Sequence, residues 1–176
     1  ETLRSRISYV PQDVFLFSDS ISNNIRFGKN DATTEQVYKA AKQASIYEEI
    51  NRFPEAFETM VGERGVTLSG GQKQRISIAR ALVREPGIVI FDDCLSAVDG
   101  KTEQEILSSL NTYLEGRTAV IITHRIFSLL QFDKIVVMNE GRIVEMGTHS
   151  ELLAINGLYT SMYNRQQEQD KKPGES

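Results

Sequence analysis

The segment "GIVIF", residues 87–91, is apolar without a break and runs directly into two adjacent carboxylates, Asp92 and Asp93. A second run, "RTAVIITH", repeats the pattern at residues 117–124. Short apolar runs that do not alternate with polar residues fit parallel strands covered on both faces. With helical sequence before and between them, they commit the chain to an α/β fold. Two acids at the end of an apolar strand are costly unless a partner or a metal compensates them. What each of them holds is therefore the central question about this sequence.

The remaining segments fit that frame. "RISYV" ends at Pro11 and reads as a short strand, and "SDSISNNIRFGKND" as a turn with at most one helical turn. From Thr33 to about Arg52 the apolar positions Val37, Ala40, Ala41, Ala44 and Ile50 recur near helical spacing, with Thr33 or Thr34 as the N-cap. "QKQRISIARALVRE" is a helix stopped by Pro86, and "KTEQEILSSLNTYLEG" one ending at Gly116. "RIFSLLQF" reads as a short helix, and "KIVVMNEGRIVEMG" as a hairpin turning at Asn139-Glu140-Gly141. "THSELLAINGLYTSMYNR" is a closing helix interrupted near Gly157, and the polar "QQEQDKKPGES" reads as a disordered tail.

Composition narrows the function. A chain of 176 residues can bury one real core, and its net charge of -4 gives no global field for nucleic acid or anionic lipid. A local phosphate site is compatible with that balance. The single cysteine, Cys94, excludes an internal disulfide framework. No apolar run approaches the roughly 18 residues of a membrane span. The chain opens "ETLRSR" without an initiator Met or a secretory leader, which leads to the expectation that Glu1 is internal to a longer protein.

Chemistry concentrates in "LSGGQKQR", Leu68 to Arg75. Two glycines at a helix mouth let the backbone approach an anion, the first helical N–H groups point outward, and Ser69 adds a hydroxyl. The alternative is a glycine turn with Ser69 as N-cap. Cys94 reads as a small buried residue, His149 as a surface residue at a helix start, and Arg75, Arg80 and Arg84 as solvated or paired. Lys171 and Lys172 are too few to attach the chain to a membrane.

At this point the sequence resembles the ATP-binding cassette (ABC) ATPase family. "LSGGQ" matches its signature, "IVIFDD" its Walker B strand, "SAVD" its D-loop, "ITH" its switch-histidine segment and "YVPQD" its Q-loop. All five occur in family order across residues 9 to 124. "VGERG" is similar to the loop that exporters of the family use against their membrane domains. The resemblance implies that Asp92 holds Mg²⁺ beside the phosphates of ATP, and that Gln12 reaches the same metal and the attacking water. His124 would contact the γ-phosphate. Ser69, Gly70, Gly71, Gln72 and Asp99 would contact ATP across a dimer interface.

Asp93 stands where the family pattern has Glu as general base. The substitution keeps the charge and shortens the side chain by a methylene. Heterodimeric exporters of the family often pair an Asp-bearing chain with a Glu-bearing one, which leaves two alternatives: a degenerate site, or a slow but working base. The family's G-x-x-x-x-G-K-[ST] phosphate loop has no match here, since "GERGVTLSGG" lacks the Lys-Ser or Lys-Thr pair. The resemblance puts that loop before Glu1.

The implied fold is a P-loop NTPase-like ABC ATPase core with a helical subdomain, incomplete at the N-terminus. Residues 1–12 would close the N-terminal core portion, 13–85 form the helical subdomain, 86–163 the catalytic core and 164–176 a tail. The expected function is the ATP-hydrolysing domain of an ABC exporter on the cytoplasmic face of the cell membrane. Its partners would be a second nucleotide-binding domain and a membrane-spanning domain upstream in the same chain, with no nucleic acid. The homodimer stays open beside the heterodimer. Two rivals remain: a regulatory subunit that binds ATP without hydrolysing it, and a soluble ABC ATPase acting on ribosomes or DNA.

Overall fold

The computed structural model describes residues 3–62, 65–95, 100–126 and 132–170. The chain divides into two compact units, Glu1–Thr123 and His124–Ser176.

The first unit is built on a parallel sheet of three strands, β1 (Ile7–Val10), β2 (Ile88–Asp92) and β3 (Thr118–Ile122), in the order β1-β2-β3. The register sets Val10 beside Phe91 and Phe91 beside Ile121. Val10, Val89 and Phe91 share one face and are buried, whereas Tyr9, Val120 and Ile122 on the opposite face are about half exposed. The described helices cover one face, and β3 is exposed along most of its length.

The crossover from β1 to β2 carries α1 (Ile21–Arg26), α2 (Thr34–Gln43), α3 (Tyr47–Ile50) and α4 (Gly70–Leu82). Ser20 caps α1 by accepting from the Asn23 N–H, so the segment read as a turn holds a six-residue helix. Thr33 and Gln36 form a capping box on α2. The single helix expected over residues 33–52 is broken at Ser45, whose φ of 53° leaves the helical region. α4 is buried almost all round from Gln74 to Leu82 and packs against α1, α2 and β1. α5 (Gly100–Leu114) links β2 to β3.

In the second unit β4 (Ile135–Asn139) and β5 (Arg142–Gly147) form the expected hairpin. Its turn residues Glu140 and Gly141 both have positive φ, as a type I′ turn requires. α6 (His149–Ile155) and α7 (Leu158–Asp170) follow, with Asn156 left-handed between them. The interruption near Gly157 is where the sequence put it. A side chain on Gly157 would place its Cβ 2.2 Å from Glu145 Oε1, because that carboxylate accepts the Leu158 and Tyr159 N–H groups at 2.5 and 3.0 Å. α7 runs to Asp170, so residues 164–170 are helical where a disordered tail was expected. Val137, Leu152 and Tyr159 form this unit's core.

Candidate functional site

The register of β1 and β2 brings Gln12 and the two aspartates to the same, carboxyl-terminal edge of the sheet. That edge is where open parallel sheets take their ligands. Tyr9, Ile90 and Asp92 share a face, and the Tyr9 hydroxyl donates to Asp92 Oδ2 at 2.6 Å. The hydrogen bond to Asp92, with some burial and the carboxylate's charge, raises the phenol above its ordinary pKa. Asp93 bends out of the strand with φ 43°, a left-handed conformation that Asp tolerates better than most residues. Its N–H still donates to Ile122 O at 2.8 Å, and Gln12 Nε2 reaches its Oδ2 at 3.5 Å. Gln12, Asp92 and Asp93 thus lie together at this edge of the sheet.

The donor set suits a hard cation. Asp92 offers carboxylate oxygen, and Gln12, whose amide nitrogen faces Asp93, offers a carbonyl oxygen. Among the described residues no group of three or more His, Cys, Asp or Glu side chains gathers to hold a metal. Magnesium bound through one carboxylate, phosphate oxygens and water has no need of such a cage. Cys94 is 3% exposed. Burial pushes its thiol up to about 12, reinforced by the charges of Asp93 and Asp92, so it is neither nucleophile nor ligand.

The mouth of α4 forms a second constellation. Ser69 accepts from the Gln72 N–H at 3.2 Å, and Gln72 Oε1 accepts from the Ser69 N–H at 2.9 Å. This capping box leaves the N–H groups of Gly70 and Gly71 as the outward donors. Ser69 and Gly70 are exposed. The Gln72 carboxamide is turned inward, with Nε2 donating to Glu49 Oε2 at 3.1 Å. Glu49 also takes Arg75 in a bidentate pair at 2.5 and 3.0 Å, and Arg75 donates to Ser45 O at 2.9 Å. The side chain of Gln72 thus braces the mouth, and its N–H is engaged by Ser69.

His124 opens the second unit and lines a cleft of about 350 Å³ with Arg125, Arg165 and Gln166. Asp99 lies outside the described residues, as do the rest of the expected D-loop, Glu63 and Arg64 of "VGERG", and most of the short helix expected after His124.

The sequence profile of the ABC transporter family matches residues 1–96, more than half of the 176. The chain belongs to the ABC transporter family. It is 52% identical over 167 residues, 95% of this chain and 28% of the relative, to a probable multidrug resistance ABC transporter ATP-binding/permease protein, YheI, of Bacillus subtilis. It is 46% identical over 169 residues, 95% of this chain and 23% of the relative, to the mitochondrial iron-sulfur clusters transporter atm1 of Aspergillus fumigatus. A bacterial Atm1-family ABC exporter solved with ATP bound superposes with a TM-score of 0.87 at 45% identity, covering 93% of this chain and 29% of that one. The chain spans about a quarter of the length of these relatives.

Within this ABC chain several residues at the site escaped the sequence reading. Tyr9 sits inside the quoted Q-loop segment, but its place on the face of Asp92 follows from the register between β1 and β2. Glu49 gave no signal, because its contact depends on the break at Ser45. Arg80 donates to Asn24 O, Phe15 O and Asn24 Oδ1 at 2.8, 2.9 and 3.0 Å, which ties α4 to the loop that follows Gln12.

Proposed function

We propose that this chain is part of the ATP-binding and ATP-hydrolysing domain of an ABC-type exporter. The observation that carries the reading is the joining of Gln12, Asp92 and Asp93 at the carboxyl edge of the parallel sheet. Its similarity to an ATP-binding/permease protein and to an exporter with ATP bound supports it.

In this reading Asp92 anchors Mg²⁺, which when bound neutralises charge on the ATP phosphates. Gln12 orients the attacking water, and Asp93 takes its proton. His124, two residues beyond β3, stabilises charge on the γ-phosphate. The mouth of α4 presents the Gly70 and Gly71 N–H groups, and the Ser69 hydroxyl, to the ATP of a facing domain. Asp99 would cross that same interface. The partners are a second nucleotide-binding domain, carrying Glu at the position of Asp93, and a membrane-spanning domain of the same polypeptide. We assign the assembly to the cell membrane, with this domain on the cytoplasmic face.

A second reading, a subunit that binds ATP and mainly completes its partner's site, is favoured by the short carboxylate of Asp93. A misplacement of about 1 Å can cost on the order of 10²-fold in rate. The common core of both readings is tested with Asp92→Asn in the complete protein. Magnesium-dependent affinity for ATP is expected to fall sharply. An unchanged magnesium dependence would contradict the role of Asp92.

A further inference from the structure

We infer that Gln166, on α7, is a positioning residue for His124. The inference rests on the reading of His124 as a γ-phosphate contact. The Ile126 N–H donates to Gln166 Oε1 at 2.8 Å, and Gln166 Nε2 donates to Ile126 O at 2.8 Å. One carboxamide thus satisfies both backbone groups of one residue, as a neighbouring strand would. Such a two-point contact fixes the rotation of the peptide as well as its position. Ile126 stands two residues after His124, a reach of about 7 Å of chain.

The helix that carries Gln166 is itself held. Glu145 caps the first turn of α7 through the Leu158 and Tyr159 N–H groups. Tyr159 is buried against Leu152 and Val137, and the Thr160 hydroxyl donates to Leu152 O at 3.1 Å. Gln166 follows Tyr159 by seven residues, about two turns, and so lies on the same side of the helix. A continuous path of contacts therefore runs from hairpin strand β5 through α7 to the backbone beside His124. Half-buried Gln166 is its last link.

A group acting through a γ-phosphate contact changes affinity for a nucleoside triphosphate and leaves the diphosphate alone. A residue needed only for folding weakens both. The test measures dissociation constants of the complete protein for Mg–AMP-PNP and Mg–ADP. Gln166→Ala is expected to weaken AMP-PNP about tenfold, the scale of one charge-assisted hydrogen bond, and ADP less than about twofold. His124→Ala should show the same selectivity.

Gln166→Glu adds a second arm. As a carboxylate it can accept from the Ile126 N–H but repels the Ile126 carbonyl. It should therefore weaken AMP-PNP selectively at pH 7.5, as Gln166→Ala does. Equal weakening of both nucleotides, or no weakening, by Gln166→Ala would overturn the inference. If His124→Ala is selective and Gln166→Ala is not, the inference alone falls. If His124→Ala is also without effect, the assignment of His124 falls, and the inference with it.

Discussion

Glu49→Gln removes the charge from a pair that holds the α4 mouth in place. It leaves Arg75 behind with a side chain only 7% exposed. Breaking a fully buried pair costs about 3–5 kcal/mol. Glu49 itself keeps 34% of its side-chain surface in contact with solvent, so water screens part of the loss and the expected cost is about 2 kcal/mol. For a unit of this size that is about 4–8 °C in the unfolding midpoint, read by calorimetry of the complete protein. Replacing both partners by apolar residues, Glu49→Leu with Arg75→Met, should cost less than Glu49→Gln alone. The pH dependence has a definite sign. Burial pushes the Glu49 carboxyl up, but the hydrogen bonds from Arg75 and Gln72 and the charge of Arg75 outweigh it and hold it below its ordinary value. A depressed carboxyl stabilises fully above its unfolded pKa of about 4.3 and loses that contribution as pH falls through the folded value. The gap between the natural chain and Glu49→Gln should be constant from pH 8 to 5.5 and close below about pH 4. A midpoint shift under about 1 °C at pH 7, or a gap that widens in acid, would refute the argument.

Arg80→Ala should free the loop after Gln12, because three hydrogen bonds to Phe15 and Asn24 are lost. Amide exchange across residues 15–25 is expected to accelerate, with a cost of about 2 kcal/mol in local stability; unchanged exchange there would remove Arg80 as an anchor. Cys94, with its thiol pushed up to about 12 by burial, should resist iodoacetamide at pH 8 until the protein is unfolded. Rapid native-state labelling would show that the end of β2 opens to solvent.

Element types were legible wherever pattern and packing agree. The unbroken apolar run before Asp92 gave a central parallel strand, and the alternation around Glu140-Gly141 gave the hairpin. β3 carries the same kind of run yet is largely exposed, because an apolar run signals what a strand can bury and not what covers it. The broken helix at Ser45 and the helical stretch through Asp170 were missed for opposite reasons. Ser45 leaves the helical region despite continuous helical spacing on both sides. The residues after Asn164 are good helix formers in a polar segment, and the capped start of α7 carries them. At the candidate site, local patterns singled out Gln12, Asp92, Asp93 and the Ser69 to Gln72 turn. The contacts of Tyr9, Glu49, Arg80 and Gln166 are long-range pairs, and a single sequence does not display such pairs.

The most direct measurement compares ATP turnover of the complete protein, purified without a partner chain, with that of Asp93→Glu. If Asp93 is a base set back by one methylene, the natural protein turns over slowly and Glu raises the rate by on the order of 10²-fold. Fast turnover by the natural protein, with no gain from Glu, would contradict that account and make Asp93 a fully competent base.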